Sequence, residues 1–400
     1  MKGGILSVLF GLCALATFSP AQTYQVLYSF AGGRDGGGPS SSLLRVGGVL
    51  YGTTGLGGAS DNGTLYKLTA QGQETVLHSF TGTDGRGPGE LVRDSAGNFF
   101  GAAGAGGPVA ACKDPFLTHG CGVVFEYTTA GKLKVLFRFS GDNGAVPSGK
   151  LVFDAKGNLY GGTAAGGSNP SCMGQRYRDG CGTVFQLNPV NGTWTETVLY
   201  NFAGGADSYQ PSGIIRYKGN LFGTTAAGDG LPCDQGVCGT VFEVAHGAAG
   251  WTKTTLHSFS GAGDGAIPTD AVIADSDGNL YGTTYWGGEP GLGTIFKIDG
   301  TGQKTVLYSF TGPDGAYPGG ALTRDKDGNL YGTTSQGGTS KVGTVFKLDP
   351  SNHLTVLHHF TGGNDGAFPY NALLLNGNFL YGTTAGGGSS NWGTVFKVEK

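Results

Sequence analysis

Two carboxylates and an ammonium group occur at matching places of a repeated pattern, where they could recognise or cleave a polar ligand. Glu90, Lys150 and Asp270 each follow a proline by two or three residues, and Tyr370 and Asn371 follow the last such proline. Two carboxylates can act as general acid and general base on a glycosidic bond, and carboxylates also bind hydroxyl groups. The sequence therefore predicts a polar site at these five residues, with an ordinary solvated rim as the alternative.

Six cysteines lie in insertions that lengthen three successive repeats. They form local pairs, Cys112 with Cys121, Cys172 with Cys181, and Cys233 with Cys238. In an exported chain this spacing favours three local disulfides. Zinc is the alternative, but only the last pair approaches the spacing of a zinc knuckle, and it lacks a second knuckle or a histidine pair nearby. We therefore expect neither a metal nor a cofactor.

The insertions and two related connections concentrate side chains suited to recognition. The residues are Lys113, His119, Arg176, Tyr177, Arg178, Trp286 and Trp392. A disulfide that holds a loop in place lowers the entropy cost of binding, so these residues are predicted to form a ligand-binding or partner-binding surface. The alternative is that the disulfides only protect the loops from proteolysis.

Histidines and recurrent aspartates are predicted to be structural. His78, His257 and His358 occupy one repeated position, and the chain has no His-Glu-x-x-His, no Gly-x-Ser-x-Gly and no phosphate-binding glycine loop. An aspartate recurs in a turn of every repeat, which favours a turn closed by its own side chain over a ring of cation sites. The seven are Asp35, Asp84, Asp142, Asp207, Asp264, Asp314 and Asp365.

Seven copies of one unit must position all of these residues. The pattern Leu-Tyr-Ser-Phe ends at Phe30, Phe80, Phe139, Phe202, Phe259, Phe310 and Phe360, with some substitutions. The patterns Leu-Tyr-Gly-Thr-Thr and Gly-Thr-Val-Phe-Lys-Leu repeat in step with it. Each unit contains four short β-type runs separated by turn residues. Seven four-stranded units predict an all-β, seven-bladed β-propeller, with a β-solenoid as the alternative.

The composition excludes several other classes of protein. Glycine contributes 80 of 400 residues, which leaves no room for long amphipathic helices, and the glycines follow no collagen period. The hydrophobic content of 38% and the net charge of −3 argue against disorder. The small net charge and the lack of a basic patch argue against a nucleic-acid partner.

The phase of the repeats predicts how the ring closes. The chain opens with a run of the fourth-strand type, Tyr24 to Phe30, and its last unit stops after a third-strand run, Gly393 to Val398. The first run can therefore complete the last unit, which would remove an open sheet edge. We expect residues 22–400 to form a single propeller domain and a monomer.

The N-terminal residues read as an export signal. Lys2 precedes an apolar run from Ile5 to Phe18, and small residues precede a cut after Ala21. The run is too short for a transmembrane anchor, so we expect residues 1–21 to be removed, leaving no membrane span. The expected location is secreted or periplasmic.

The repeated motifs resemble the GloVer tandem repeat family of bacterial exported proteins. The resemblance rests on Leu330 to Thr334 and Gly343 to Leu348 and their copies, and it covers essentially the whole chain after the signal. It implies a β-propeller-type, secreted or surface-associated bacterial protein, without an activity that can be carried over. Members often end in a sorting anchor, whereas this sequence ends at Glu399-Lys400 directly after a strand, which favours a soluble exported protein.

Two functions remain open from the sequence. The first is a non-catalytic propeller that binds a ligand, for example a carbohydrate, or a protein partner at the end where the innermost strands begin. The second is a secreted polysaccharide hydrolase or lyase that uses Glu90 and Asp270.

Overall fold

The computed structural model describes residues 23–112, 118–169, 172, 180–228 and 238–400. These residues form seven antiparallel four-stranded blades arranged in a ring, which confirms the seven-bladed β-propeller. Besides strands, the described part of the chain contains short 3-10 turns at Val109–Ala111, Gly205–Asp207 and Ala262–Asp264.

The first strand is β1 (Tyr24–Ser29), and the others follow blade by blade. Blades 1 to 3 contain β2 (Gly37–Pro39), β3 (Leu44–Val46), β4 (Val49–Leu56), β5 (Thr64–Leu68), β6 (Glu74–Ser79), β7 (Arg86–Arg93), β8 (Phe99–Ala105), β9 (Val123–Tyr127), β10 (Leu133–Arg138), β11 (Ala145–Phe153), β12 (Leu159–Ala165), β13 (Thr183–Val190) and β14 (Thr193–Asn201). Blades 4 to 7 contain β15 (Tyr209–Tyr217), β16 (Asn220–Ala227), β17 (Thr240–Gly247), β18 (Gly250–Ser258), β19 (Ala266–Pro268), β20 (Ile273–Ala274), β21 (Leu280–Trp286), β22 (Thr294–Ile298), β23 (Lys304–Ser309), β24 (Ala316–Pro318), β25 (Thr323–Arg324), β26 (Leu330–Gln336), β27 (Thr344–Leu348), β28 (Leu354–His359), β29 (Leu374–Asn376), β30 (Phe379–Thr384) and β31 (Thr394–Glu399).

The recurrent proline lies within the innermost strand in blades 1 to 6, whereas β29 of blade 7 starts after Pro369. Pro39, for example, ends β2, and Pro88 lies inside β7. A strand on the inner edge has a hydrogen-bonding neighbour on one side only, so it tolerates a residue without an N–H. In blades 1, 5 and 6 the strand is interrupted after the proline and resumes as β3, β20 and β25.

The first and last strands close the ring as predicted. β1 pairs antiparallel with β31, from Tyr24 opposite Val398 to Ser29 opposite Thr394. The outermost strand of blade 7 therefore comes from the start of the chain, and the circle of blades has no open edge.

One aromatic contact joins each blade to the next. The phenylalanine after each outermost strand packs edge-to-face on an aromatic ring of the third strand of the following blade, with centroids 5.1–5.3 Å apart. These pairs are Phe30–Tyr66, Phe80–Phe125, Phe139–Phe185, Phe202–Phe242, Phe259–Phe296, Phe310–Phe346 and Phe360–Phe396. Because all seven first-named rings are buried, the core forms separate layers between blades rather than one central mass.

Candidate functional site

A cavity of about 530 Å³ opens at the axis of the ring, where the seven innermost strands begin. It is lined by residues of all seven blades, and four of the five residues predicted for the polar site, Glu90, Asp270, Tyr370 and Asn371, are among them. We call this cavity the channel mouth. The fold therefore brings together side chains that lie up to 281 residues apart in the sequence.

Asp270 is held by backbone donors from two blades. Its Oδ1 accepts a hydrogen bond from the N–H of Ala271 at 2.7 Å, and its Oδ2 accepts one from the N–H of Ala321 at 2.9 Å. Burial raises the pKa of this carboxyl well above its usual range, and the nearby charge of Glu90 raises it further, while the two N–H groups and Lys150 oppose the shift. The Asp270 carboxyl therefore keeps its proton to a higher pH than an ordinary aspartate does.

Glu90 and Lys150 complete the charged part of this region. The hydroxyl of Ser42 donates a hydrogen bond to Oε1 of Glu90 at 2.9 Å, which links blades 1 and 2. Lys150 is exposed and does not line the cavity, although its charge acts on Asp270. Two carboxylates, Glu90 and Asp270, therefore line the cavity, and the ammonium group of Lys150 lies outside it.

Amide and aromatic groups form the rest of the lining. Nδ2 of Asn371 donates to the carbonyl of Pro39 at 3.2 Å and to Oγ1 of Thr383 at 2.9 Å, so the amide group is held between blades 1 and 7. The ring of Tyr370 is 41% exposed. Tyr285 also lines the cavity and stacks on Tyr317 with centroids 5.0 Å apart.

Several lining residues were missed from the sequence. Gln210 and Ser148 belong to the cavity but were not selected as site residues. Ser148 directly follows a recurrent proline and Gln210 directly precedes one. Their position next to the proline could therefore have identified them as lining residues.

The other predicted binding residues are placed away from this cavity where they are described. Trp392 is 40% exposed and covers the backbone of Gly32 and Gly37, where a Cβ would meet the indole at 2.3 and 2.6 Å. Trp286 is partly buried against the core between blades 4 and 5. His119 is exposed, and its Nδ1 lies 3.0 Å from Oγ1 of Thr118.

Part of the predicted surface lies outside the described residues. This applies to Lys113, Arg176, Tyr177, Arg178 and Cys233, and also to the signal at residues 1–21. The bonds Cys112–Cys121 and Cys172–Cys181 form as predicted, and Cys238 is also disulfide-bonded.

The recurrent aspartates close turns, as the sequence analysis favoured. The Asp264 carboxylate accepts from the N–H of Ser260 at 2.9 Å and contacts Nε2 of His257 at 3.1 Å. His78 and His358 contact Asp84 and Asp365 in the same way. In blade 3 the side chain of Asn143, next to Asp142, accepts from the N–H of Ser140 at 2.9 Å.

The described part of the chain lacks both a cluster of metal ligands and a helix that could span a membrane. Within it, His, Cys, Asp and Glu side chains do not gather in groups of three or more that could hold a metal ion. Its helices include none with the length and apolar character needed to cross a membrane.

Comparison with known proteins identifies similar repeats and similar folds. The Gloeobacter/Verrucomicrobia repeat matches residues 11–171 and 172–396. None of the curated proteins compared with the chain matches it.

Solved structures resemble the fold at low sequence identity. The extracellular domain of a B. thetaiotaomicron protein described as a one component system has a TM-score of 0.58 at 8% identity, over 94% of this chain and 40% of that one. A puromycin-hydrolyzing peptidase of Mycobacterium tuberculosis has a TM-score of 0.56 at 12% identity, over 92% and 53%. A gluconolactonase of Xanthomonas campestris has a TM-score of 0.45 at 12% identity, over 78% and 85%. The chain thus spans about half or less of the first two, and the likeness at these identities concerns the fold.

Proposed function

The chain belongs to the Gloeobacter/Verrucomicrobia repeat family, and we propose that its channel mouth binds a small polyhydroxylated ligand such as a mono- or oligosaccharide. The observation that carries the proposal is the convergence of Glu90, Asp270 and Asn371 on one cavity of about 530 Å³. This volume is within the range of small-molecule sites.

The chemistry of the lining suits hydroxyl groups. Both oxygens of Asp270 already accept one backbone N–H each, so they are fixed in position and keep lone pairs for ligand hydroxyls. The exposed faces of Tyr370 and Tyr285 can pack against the C–H faces of a sugar ring. The combination of fixed acceptors and flat apolar surfaces supports a sugar more than a purely apolar ligand.

The test is calorimetric titration of the purified protein with a panel of neutral mono- and oligosaccharides. We expect the double variant Glu90→Gln, Asp270→Asn to weaken binding at least tenfold, because each carboxylate loses acceptor strength. Asp349→Asn is the matched control, since this carboxylate follows the third strand of blade 6 and accepts hydrogen bonds from the N–H groups of Ser351 and His353 in its own turn. Unchanged affinity in a folded double variant, or no binding by any sugar of the panel, would refute the proposal.

A second candidate function is hydrolysis of a glycosidic bond or of a related ester at the same place. It is favoured by the raised pKa of Asp270, which burial and then the charge of Glu90 cause, because a carboxyl group that keeps its proton to a higher pH can act as a general acid. Turnover that falls to background in both single variants, Glu90→Gln and Asp270→Asn, supports catalysis. Sugar binding without turnover would exclude catalysis and support the binding function.

We also infer that the chain is exported and that the disulfide-bonded insertions extend the recognition surface beside the channel mouth. Disulfides persist in oxidising compartments, and Cys112–Cys121 and Cys172–Cys181 support such a location. Both bonds lie in connections between second and third strands, at the end of the ring where the innermost strands begin.

A further inference from the structure

Two cavities of the same construction lie between neighbouring blades, at the end of the ring opposite the channel mouth. One, of about 290 Å³, lies between blades 1 and 2, and the other, of about 320 Å³, lies between blades 4 and 5. In both, one blade contributes its second to fourth strands, and the next contributes the turns after its first and third strands. We call them the 1/2 cavity and the 4/5 cavity.

The two cavities are lined by side chains of opposite charge, and one pair of these side chains holds equivalent positions. The 1/2 cavity is lined by Lys67 and Arg93 and by no acidic residue, whereas the 4/5 cavity is lined by Glu243, Asp277 and Asp299 and by no basic one. Lys67 and Glu243 hold the same place in the repeat, because they pair with Tyr51 and Phe222 at the same register. Of these two cavities, only the 1/2 cavity is therefore lined by cations.

The cations of the 1/2 cavity are available to a ligand. Within the described residues, neither Lys67 nor Arg93 forms an ion pair, and the guanidinium of Arg93 lies against Gly97, where a Cβ would be 2.7 Å away. Two positive charges in one cavity repel each other, and an anion between them removes that repulsion.

A tyrosine hydroxyl in the 1/2 cavity has also lost its usual partner. In blades 3, 5 and 6 the equivalent hydroxyls of Tyr160, Tyr281 and Tyr331 donate to an aspartate of the turn after the first strand, at 3.0–3.1 Å. Blade 1 has Gly47-Gly48 in that turn and no aspartate. The hydroxyl of Tyr51 therefore has no hydrogen-bond partner among the described residues.

Aromatic rings form the apolar wall of the 1/2 cavity. Tyr51 and Phe99 lie with ring centroids 4.5 Å apart, and the largely buried ring of Tyr127 completes the lining. A volume of about 290 Å³ is at the lower end of small-molecule sites. The cavity thus has space for one six-membered ring beside one acidic group.

We propose that the 1/2 cavity binds a small acid in which a carboxylate is attached to a six-membered ring. The carboxylate lies between Lys67 and Arg93 and accepts a hydrogen bond from the Tyr51 hydroxyl, while the ring packs against Phe99 and Tyr127. The site shares no residue with the channel mouth, so it does not depend on the function proposed there.

The test uses acids paired with neutral compounds of the same ring. Calorimetric titration with benzoate and benzamide, and with glucuronate and glucose, separates the carboxylate from the ring and an aromatic ring from a sugar ring. We expect at least one acid to bind ten times more tightly than its neutral partner, with affinity falling as salt rises. Equal affinities within both pairs, or no binding of either acid, would overturn the proposal.

Variants locate the binding. The double variant Lys67→Gln, Arg93→Gln should weaken acid binding at least tenfold, and Tyr51→Phe should weaken it by a smaller factor. Lys297→Gln, Arg324→Gln is the matched control, because these cations flank Tyr281, whose hydroxyl is bound to Asp275. An unchanged affinity in the first double variant, or an equal loss in the control, contradicts the assignment. The variant Glu90→Gln, Asp270→Asn should retain acid binding, which separates this result from failure at the channel mouth.

Discussion

Single side chains at the start of the outermost strands decide how well some junctions between blades are stabilised. Lys253 and Lys304 occupy this position in blades 4 and 5, and their ammonium groups reach Asp207 at 3.0 Å and Asp264 at 2.5 Å. Blades 1 and 3 have Glu74 and Glu196 there, and one carboxyl oxygen of each is buried without a hydrogen-bond partner among the described residues. The same place in the fold therefore stabilises two junctions and weakens two others.

Removal of these buried acids should stabilise the protein at alkaline pH. Burial raises the pKa of Glu74 to about 7, with a further contribution from Asp35, and burial raises the pKa of Glu196 to about 7. The folded state binds more protons than the unfolded state between about pH 4 and pH 7, so the free energy of unfolding falls across this range and stays low above it. We expect Glu74→Gln to raise it by about 1–2 kcal/mol at pH 8 and to change it little at pH 4. Denaturant unfolding at the two pH values measures this, and an equal effect at both would argue against titration of Glu74.

At the scale of the element, one position of the repeat is glycine in every blade for a steric reason. Gly293 precedes the third strand of blade 5 with a φ of +98°, and a Cβ there would lie 2.5 Å from the carbonyl oxygen of Thr284 and 2.6 Å from Cδ of Pro318 in the next blade. The same contact with the following blade's proline recurs at Gly63, Gly122, Gly182, Gly239, Gly343 and Gly393. Because a Cβ would collide with the next blade, this position requires glycine.

The closing strand β1 should matter more than its length suggests. Tyr24 stacks on His358 with centroids 3.7 Å apart, packs on Phe396 at 5.6 Å, and donates a hydrogen bond to the carbonyl of Asp365. We expect Tyr24→Ala to reduce the free energy of unfolding by about 3 kcal/mol, because it removes a packed ring at the junction of blades 6 and 7. The control is Gln25→Ala, an exposed position of the same strand, with an expected change below about 0.5 kcal/mol. Thermal unfolding compares them, and similar melting temperatures would mean that β1 contributes little to closure.

At the scale of the whole molecule, the ring forms two kinds of cavity, one on its axis and one between neighbouring blades. The channel mouth draws on all seven blades, and the 1/2 cavity draws on two. Since the ring begins at Tyr24, removal of residues 1–21 would leave every strand in place.

The proposed export leads to a prediction about the N-terminus and the cysteines of the protein. We expect the protein recovered from the periplasm or medium of an expressing bacterium to begin at Gln22 and to contain six cysteines without a free thiol. Intact-mass measurement after alkylation without reductant checks both points at once. Retention of residues 1–21, or alkylation of any cysteine, would contradict the prediction.

The sequence by itself determined the number of blades, the order of strands within each blade, the closure by β1 and two local disulfides. These follow from short sequence patterns that are repeated seven times, such as the Leu-Tyr-Ser-Phe pattern whose first copy ends at Phe30. Because each pattern occurs in seven copies, a substitution in one copy does not hide the repeat. Only the tertiary structure shows which of the residues that differ between blades lie close to one another. Glu90 and Asp270 line one cavity because the innermost strands of separate blades converge on the axis, whereas Trp392 is held over Gly32 and Gly37. The 1/2 cavity is likewise formed by two blades, since Lys67 comes from one blade and Arg93 from the next. The repeat pattern in the sequence does not reveal that these two charged side chains line the same cavity.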